Sequence, residues 1–424
     1  MKKTTLPIIL LTTLFFLWGF AHNLDPILIP HLKRSFTLST VQATLVDSAV
    51  FIAYFIMALP AGFLIRKYGY KGGIITGLII FAAGCFLFIP AANTQQYMFF
   101  LVALFIIACG LTTLETAANP YMTVIGDPET ASTRLNFAQS FNGLATTLAP
   151  IIGAKVILTK TYSDNVLNAM TPVARKAALA AEASSVKMPY FILGVILVVI
   201  AICFYFSKLP VITHKADNDE KRSAHIFQVL RYKHVSWGVA AQFFYVGAQV
   251  CVFSLFILYA TTSAKISEVQ AAYYLSAGGF AFLTGRFIGT ALMKFIAAEK
   301  LLCLYAAINV ILCAGAIWCH GLVTVYIVIA ICFFMSIMFP TIFALGIRDL
   351  GADTEFGSSL IIMSIVGGAI IPRFFGYLSD QTGNVQNGYF IPLACFVVVM
   401  LFGLTGHKVI RKAGIKELPV SNVY

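Results

Sequence analysis

GGIITGLIIFAAGCFLFIPAANTQQYMFFLVALFIIACGLTTL, residues 72–114, decides the fold, because it runs for 43 residues without an Asp, Glu, Lys or Arg. A membrane-spanning helix takes about 20 predominantly apolar residues. The stretch is therefore too long for one span and suited to two, with Pro90-Ala-Ala-Asn-Thr94 expected to turn the chain between them. Residues 301–347 repeat the situation, with Trp318-Cys-His-Gly321 as the expected break. Working outward from these two stretches, charges and Pro, Asn or Gly clusters bound twelve apolar runs. The first extends from Lys3 to about Pro30. The others fall near 43–65, 72–91, 97–124, 135–158, 188–207, 236–261, 269–292, 300–318, 322–346, 357–378 and 388–407. The expected fold class is an all-α membrane protein of twelve transmembrane helices.

Composition agrees: 59% of the 424 residues are hydrophobic and 11% are charged, against about 25% charged in soluble domains. Such a chain cannot cover its surface in water, so the lipid bilayer is its expected solvent. The formal charge of +12 does not form a basic patch; it is spread in short clusters between the apolar runs. Positive charge at span ends keeps loops on the cytoplasmic side, so no nucleic-acid partner is expected. With the N-terminus inside, the cytoplasmic segments hold 19 Lys and Arg and the opposite segments 7, which predicts both termini in the cytoplasm. Lys2 and Lys3 before an apolar run resemble a signal peptide, but no small-residue cleavage site ends the run, which reads as a first helix that stays. The nine cysteines show no C-x-x-C or Cys/His metal spacing and read as reduced packing residues. No metal or cofactor is expected. The scattered histidines, with no H-E-x-x-H, give no reason to expect an enzyme.

The polar stretch 208–234 follows the sixth span and divides the chain into an N-terminal half, 1–207, and a C-terminal half, 235–424. The 160–187 segment is comparably long, and its Ala-rich 174–184 part is expected to form a short surface helix. The halves echo one another. Phe16-Leu-Trp-Gly-Phe-Ala21 aligns with Phe243-Phe-Tyr-Val-Gly-Ala248, and Pro120 and Gly126 with Pro340 and Gly346, while Pro150 and Gly153 sit near the positions that match Pro372 and Gly376. Two parallel six-span halves around a central pathway is an architecture of secondary transporters. Between spans two and three, Gly62-Phe-Leu-Ile-Arg66-Lys67-Tyr-Gly69-Tyr-Lys71 resembles the cytoplasmic loop motif of the major facilitator superfamily. Ile65 stands where that motif carries an acid, and an ordinary basic loop would read much the same.

Ionisable groups deep in a span cost about 2.5–3.5 kcal/mol on insertion scales and are functional candidates by default. Glu115 is the clearest, in Leu111-Thr-Thr-Leu-Glu115-Thr-Ala-Ala-Asn119-Pro120 of span four. Asn119 lies one turn on, on the same helix face. A carboxyl there is a candidate to take up and release a proton; the alternative is a carboxylate fixed by a structural partner such as Arg286. Asp25 follows His22 by one turn and precedes Pro26, in a first span broken near its outer end; an interfacial position accounts for it equally well. Asn136, Gln139 and Asn142 form an amide stripe on span five, and Gln242, Tyr245 and Gln249 one on span seven. Amides both donate and accept, as sugar hydroxyls require, and Trp18, Tyr54, Tyr245 and Phe339 offer aromatic faces for sugar C–H groups. Polar stripes also serve as ordinary inter-helix contacts. Arg286 and Arg373 are placed either to pair with an acid at a gate or to snorkel.

Leu114-Glu-Thr-Ala-Ala-Asn-Pro120, Arg134-Leu-Asn-Phe-Ala-Gln-Ser-Phe-Asn142, Ala241-Gln-Phe-Phe-Tyr-Val-Gly-Ala-Gln249 and Pro340-Thr-Ile-Phe-Ala-Leu-Gly-Ile-Arg348 closely resemble the fucose–galactose–glucose/proton symporter family, over about residues 7–407. The resemblance implies a major facilitator fold of two six-helix halves and import of a neutral monosaccharide (L-fucose or a related hexose) with a proton as coupling ion, across a bacterial inner membrane. It implies sugar recognition and coupling at Glu115, sugar-binding amides at Gln139 and Asn142, and a further one at Asn23. One departure stands out: the family typically reads Leu-Asn-Asp where this chain has Leu24-Asp25-Pro26. The acid has moved by one residue, about 100° around a helix, so the proton falls to Asp25 re-aimed by Pro26, to His22 or to Glu115. The remaining alternatives are an uncoupled or other-cation-coupled sugar carrier and a sugar-sensing receptor. The receptor is disfavoured, since no polar segment here approaches the 50 residues of a small domain. The carrier is expected to work as a monomer.

Overall fold

The computed structural model describes residues 5–22, 45–94, 96–157, 169–207, 209 and 226–409. Each of the twelve predicted runs is helical where described, and no strand occurs among the described residues. Span one is Thr5–His22. Spans two and three form one hydrogen-bonded stretch, Leu45–Thr94, bent at Gly69, whose φ of 71° and ψ of 174° reverse the chain. A left-handed φ of this kind carries little penalty only for glycine, which explains why the basic loop has Gly69 at its tip. Spans four, five and six are Tyr97–Val124, Ala131–Ile157 and Lys187–Phe206. Pro172–Ser184 is the short helix expected near 174–184.

Span seven runs Lys233–Ser254 and resumes as Phe256–Ser263. Spans eight and nine are Glu268–Leu292 and Ala298–Trp318. Span ten is split into Leu322–Met335 and Met338–Gly346, and span eleven into Thr354–Met363 and Gly367–Thr382. Span twelve, Phe390–Leu401, closes in a π-helical turn, Phe402–Gly406.

Two boundaries differ from expectation. Pro90 does not turn the chain; the helix continues to Thr94, whose hydroxyl donates to the Pro90 and Ala91 carbonyls and satisfies the final turn. Span five begins at Ala131, before Arg134, because that side chain folds back to cap span four. Its guanidinium donates to the Met122 carbonyl at 3.3 Å, Thr123 at 2.7 Å and Asp127 at 2.6 Å. Lys71 does the same for span six, donating to the Tyr205 and Ser207 carbonyls at 2.7 and 2.9 Å. Cations at helix C-termini satisfy orphan carbonyls and oppose the helix dipole. Two basic residues of the same loop face are thus structural caps.

Helices pack closely through small residues, as expected where lipid supplies no hydrophobic drive between them. A Cβ added at Gly110 of span four would stand 2.5 Å from the Phe81 backbone nitrogen of span three, and one at Gly77 would stand 2.9 Å from Leu114. Backbone cannot yield as a side chain can, so Gly110→Ala is expected to destabilise the protein by about 1–3 kcal/mol. A lowered unfolding temperature in detergent would show it, and an unchanged one would refute the close approach. The nine cysteines are free.

The two halves meet at the end that carries Arg66, Arg134 and Arg348, here termed the basic end. A Cβ at Gly62 of span two would collide with Ser359 Oγ of span eleven, Arg66 lies over the Phe356 ring at 5.0 Å, and Tyr70 faces Glu355. Spans five and eight pack against each other at this inter-half seam.

Candidate functional site

Four helices of the N-terminal half bring polar groups together inside the bundle. Glu115 is 6% exposed. Its Oε1 accepts a hydrogen bond from Tyr54 of span two at 2.9 Å, the Trp18 indole of span one faces the same carboxyl, and Oε2 is buried without a hydrogen-bond partner among the described residues. One turn further on, Asn119 Oδ1 accepts from Gln139 Nε2 of span five at 3.2 Å, while Asn119 Nδ2 is buried with no partner among the described residues. Asn142 lies against Gly19 of span one, where a Cβ would come within 2.8 Å of its amide. The local sequence explains why these groups lie free to act. Thr112, Thr113 and Thr116 turn their hydroxyls onto the carbonyls four residues back, leaving the Glu115 and Asn119 side chains to face neighbouring helices.

The C-terminal half holds the other residues singled out in the sequence. Tyr245 is fully buried and donates to the Met335 carbonyl of span ten at 3.0 Å. Phe339, one turn beyond Met335, is half-buried, as is Gln249. Gln242 is completely buried, and neither amide atom has a hydrogen-bond partner among the described residues. The span-seven stripe therefore splits: its first two members point into the half's interior and Gln249 lies nearer the surface.

Arg286 bridges the halves from span eight. It is 5% exposed, donates from Nε to the Ser336 carbonyl at 2.9 Å and from Nη1 to the Gln139 carbonyl at 2.8 Å, and stacks over Phe282 at 4.6 Å. Gly143 makes room for it, since a Cβ there would touch the guanidinium at 3.7 Å. Among the described residues this arginine has neither of the expected settings, an acid partner such as Glu115 or a snorkelling position at the interface: two backbone carbonyls bind the charge. Arg373 is exposed. Nearby, Asn136 Nδ2 donates to Thr341 Oγ1 of span ten at 3.0 Å, a second bond across the seam.

Of the residues singled out in the sequence, Glu115, Asn119, Gln139 and Asn142 come together. Gln242, Tyr245, Gln249 and Phe339 belong to the facing half. Asn23 and Asp25 lie outside the described residues, and so does the His22 side chain, although His22 ends the span-one helix. Sequence reasoning missed Tyr54 as the partner of Glu115 and the carbonyl ligands of Arg286. Tyr54 carried a usable signal, a phenol in an otherwise apolar span; no side-chain pattern announces a carbonyl. Among the described residues no group of His, Cys, Asp and Glu is arranged to hold a metal.

Twelve spanning helices in two packed sets, with buried polar groups between them, are the architecture of a multi-pass membrane transporter. The chain belongs to the Major Facilitator Superfamily, whose sequence profile matches residues 9–354. It is 42% identical over 407 residues to the L-fucose-proton symporter of Escherichia coli (strain K12), covering 95% of this chain and 93% of that one. It is 41% identical over 402 residues to the glucose/galactose transporter of Brucella abortus biovar 1 (strain 9-941), covering 94% and 93%. Among solved structures, that of a Major Facilitator Superfamily transporter, FucP, in the outward conformation superposes with a TM-score of 0.90 at 41% identity, covering 96% of this chain and 99% of that one. The proton:xylose symporter XylE, at 14% identity and a TM-score of 0.67, shares the fold.

Proposed function

We propose that this protein is a proton-coupled symporter that imports a neutral monosaccharide, L-fucose or a related hexose, by alternating access. The observation that carries the reading is Glu115, a buried carboxyl with one oxygen bonded to Tyr54 and the other without a hydrogen-bond partner among the described residues, one turn from the Asn119–Gln139 amide pair. Relatives over nearly the whole chain carry the names of an L-fucose-proton symporter and a glucose/galactose transporter. An acid without a fixed countercharge supports proton exchange, and amides that both donate and accept support hydroxyl recognition. Asn142, Gln139 and Asn119 bind the hydroxyl-bearing edge of the sugar, and Phe339 of the facing half takes its apolar face. Asn23 is a further sugar-binding amide, and Asp25 or His22 is the second proton group.

The excess of Lys and Arg on the basic end makes that end cytoplasmic, in the inner membrane of a bacterium, with both termini inside. The inter-half contacts through Arg66, Asn136 and Arg286 then close the cytoplasmic side, and entry is from outside. The protein works as a monomer with no cofactor beyond the proton.

A panel of L-fucose, D-galactose, D-glucose and N-acetylhexosamines, tested for sugar-dependent proton uptake in energised vesicles, is the direct test. At least one sugar is expected to alkalinise the medium. Transport of a sugar at equal pH, with no accumulation under an imposed pH gradient, would replace symport by facilitation. In the same vesicles, Gln139→Ala is expected to raise the half-saturating sugar concentration about tenfold, since losing a hydrogen-bonding amide in a desolvated site costs about 1–3 kcal/mol.

A further inference from the structure

The two oxygens of Glu115 have unequal surroundings. Tyr54 Oη donates to Oε1 at 2.9 Å and the Trp18 indole faces the same carboxyl, whereas Oε2 is buried with no hydrogen-bond partner within normal distance among the described residues. Tyr54 is itself 3% exposed, beside the fully buried Ala53 and one turn from Ala58, so its ring has little freedom to swing away. A neutral carboxylic acid carries its proton on one oxygen and offers the other as an acceptor. A phenol that donates to the group selects which oxygen is which: Oε1 is the acceptor, and the acid proton resides on Oε2. When the proton leaves, the phenol's bond persists and becomes charge-assisted, hence stronger.

We propose that Tyr54 is a positioning residue for coupling, holding Glu115 so that the transported proton and a sugar hydroxyl meet at the single atom Oε2. This rests on the reading that Glu115 carries the coupling proton. The exchange balances simply. A proton from water on one side binds Oε2, a sugar hydroxyl accepts a hydrogen bond from the protonated oxygen, and the proton later leaves Oε2 for water on the other side. No covalent bond to sugar forms, and Tyr54 keeps its own proton throughout. Because one atom serves both partners, the sugar senses the protonation state directly and needs no relay through a distant helix.

Infrared difference spectra of the full-length protein on proton loading test this without knowledge of the sugar. The carbonyl stretch of protonated Glu115 is the band that disappears in Glu115→Gln. In Tyr54→Phe, which removes one oxygen atom, that band is expected to move to higher wavenumber, because its acceptor oxygen has lost a donor. Biosynthetic 3-fluorotyrosine, a stronger donor, is expected to move it the other way in the otherwise unaltered chain, which keeps the test open should the variant fail to fold. In vesicles, Tyr54→Phe is expected to lower proton-driven accumulation of labelled L-fucose about tenfold, the scale of a hydrogen bond to a charged group. A band unmoved by both changes, or full accumulation by Tyr54→Phe, would overturn the role of Tyr54. Full accumulation by Glu115→Gln would instead overturn the underlying assignment of the proton.

Discussion

Glu115→Gln is expected to abolish accumulation of sugar against its gradient. A difference of one pH unit corresponds to about 1.4 kcal/mol per proton, so a carrier moving one proton with one neutral sugar concentrates that sugar about tenfold. The glutamine variant should reach a ratio near one under the same gradient. Gln retains a carbonyl oxygen to accept from Tyr54 and a group of nearly the same volume, so the helix packing around a site that is 6% exposed should survive. What it lacks is a titratable oxygen. Asp25→Asn, run in parallel, separates the two candidate acids. If it alone removes accumulation while Glu115→Gln does not, the proton travels on span one and the proposed centre is wrong.

The second large effect is expected at Arg286. Its two charge-assisted bonds, to the Ser336 carbonyl in its own half and the Gln139 carbonyl in the other, hold spans five, eight and ten together toward the basic end. Hydrogen bonds to charged groups contribute about 1.5–3 kcal/mol, and the lower figure already shifts a two-state equilibrium by more than tenfold. Arg286→Met removes the charge but keeps apolar bulk over Phe282, and it leaves the Gln139 carbonyl without its partner from the other half. The basic end should then open far more often. Spin labels on Lys67 and Lys294, both exposed at that end, should show a longer or broader distance distribution than in the parent protein. Arg286→Lys is not expected to restore it, because a compact ammonium cannot reproduce the planar fork that reaches two carbonyls on different helices. Distances unchanged in Arg286→Met would mean that Asn136–Thr341 and the span two–eleven contacts suffice to hold the seam.

The twelve helices were legible because the signal is local. Charge-free runs of about 20 residues, punctuated by Gly69 and Trp318-Cys-His-Gly321, have few alternatives in lipid, where every backbone polar group needs an internal partner. Glu115 was legible for a related reason, since an acid standing after 43 uncharged residues is conspicuous without any knowledge of its neighbours. Pro90 does not break its helix, and the Thr94 hydroxyl satisfies carbonyls of the last turn.

Sequence by itself thus determined the membrane-spanning helices and the acid inside span four, both of them properties of residue type and spacing along one chain. Only the tertiary structure decided that Tyr54 fills one oxygen of that acid, that Arg286 binds carbonyls in preference to a carboxylate, and that span seven turns Gln242 and Tyr245 inward. The physical reason is that hydrogen-bond partners between spans are set by helix rotation and close approach at glycines such as Gly19 and Gly143. Those quantities depend on every neighbour at once, and no single span encodes them.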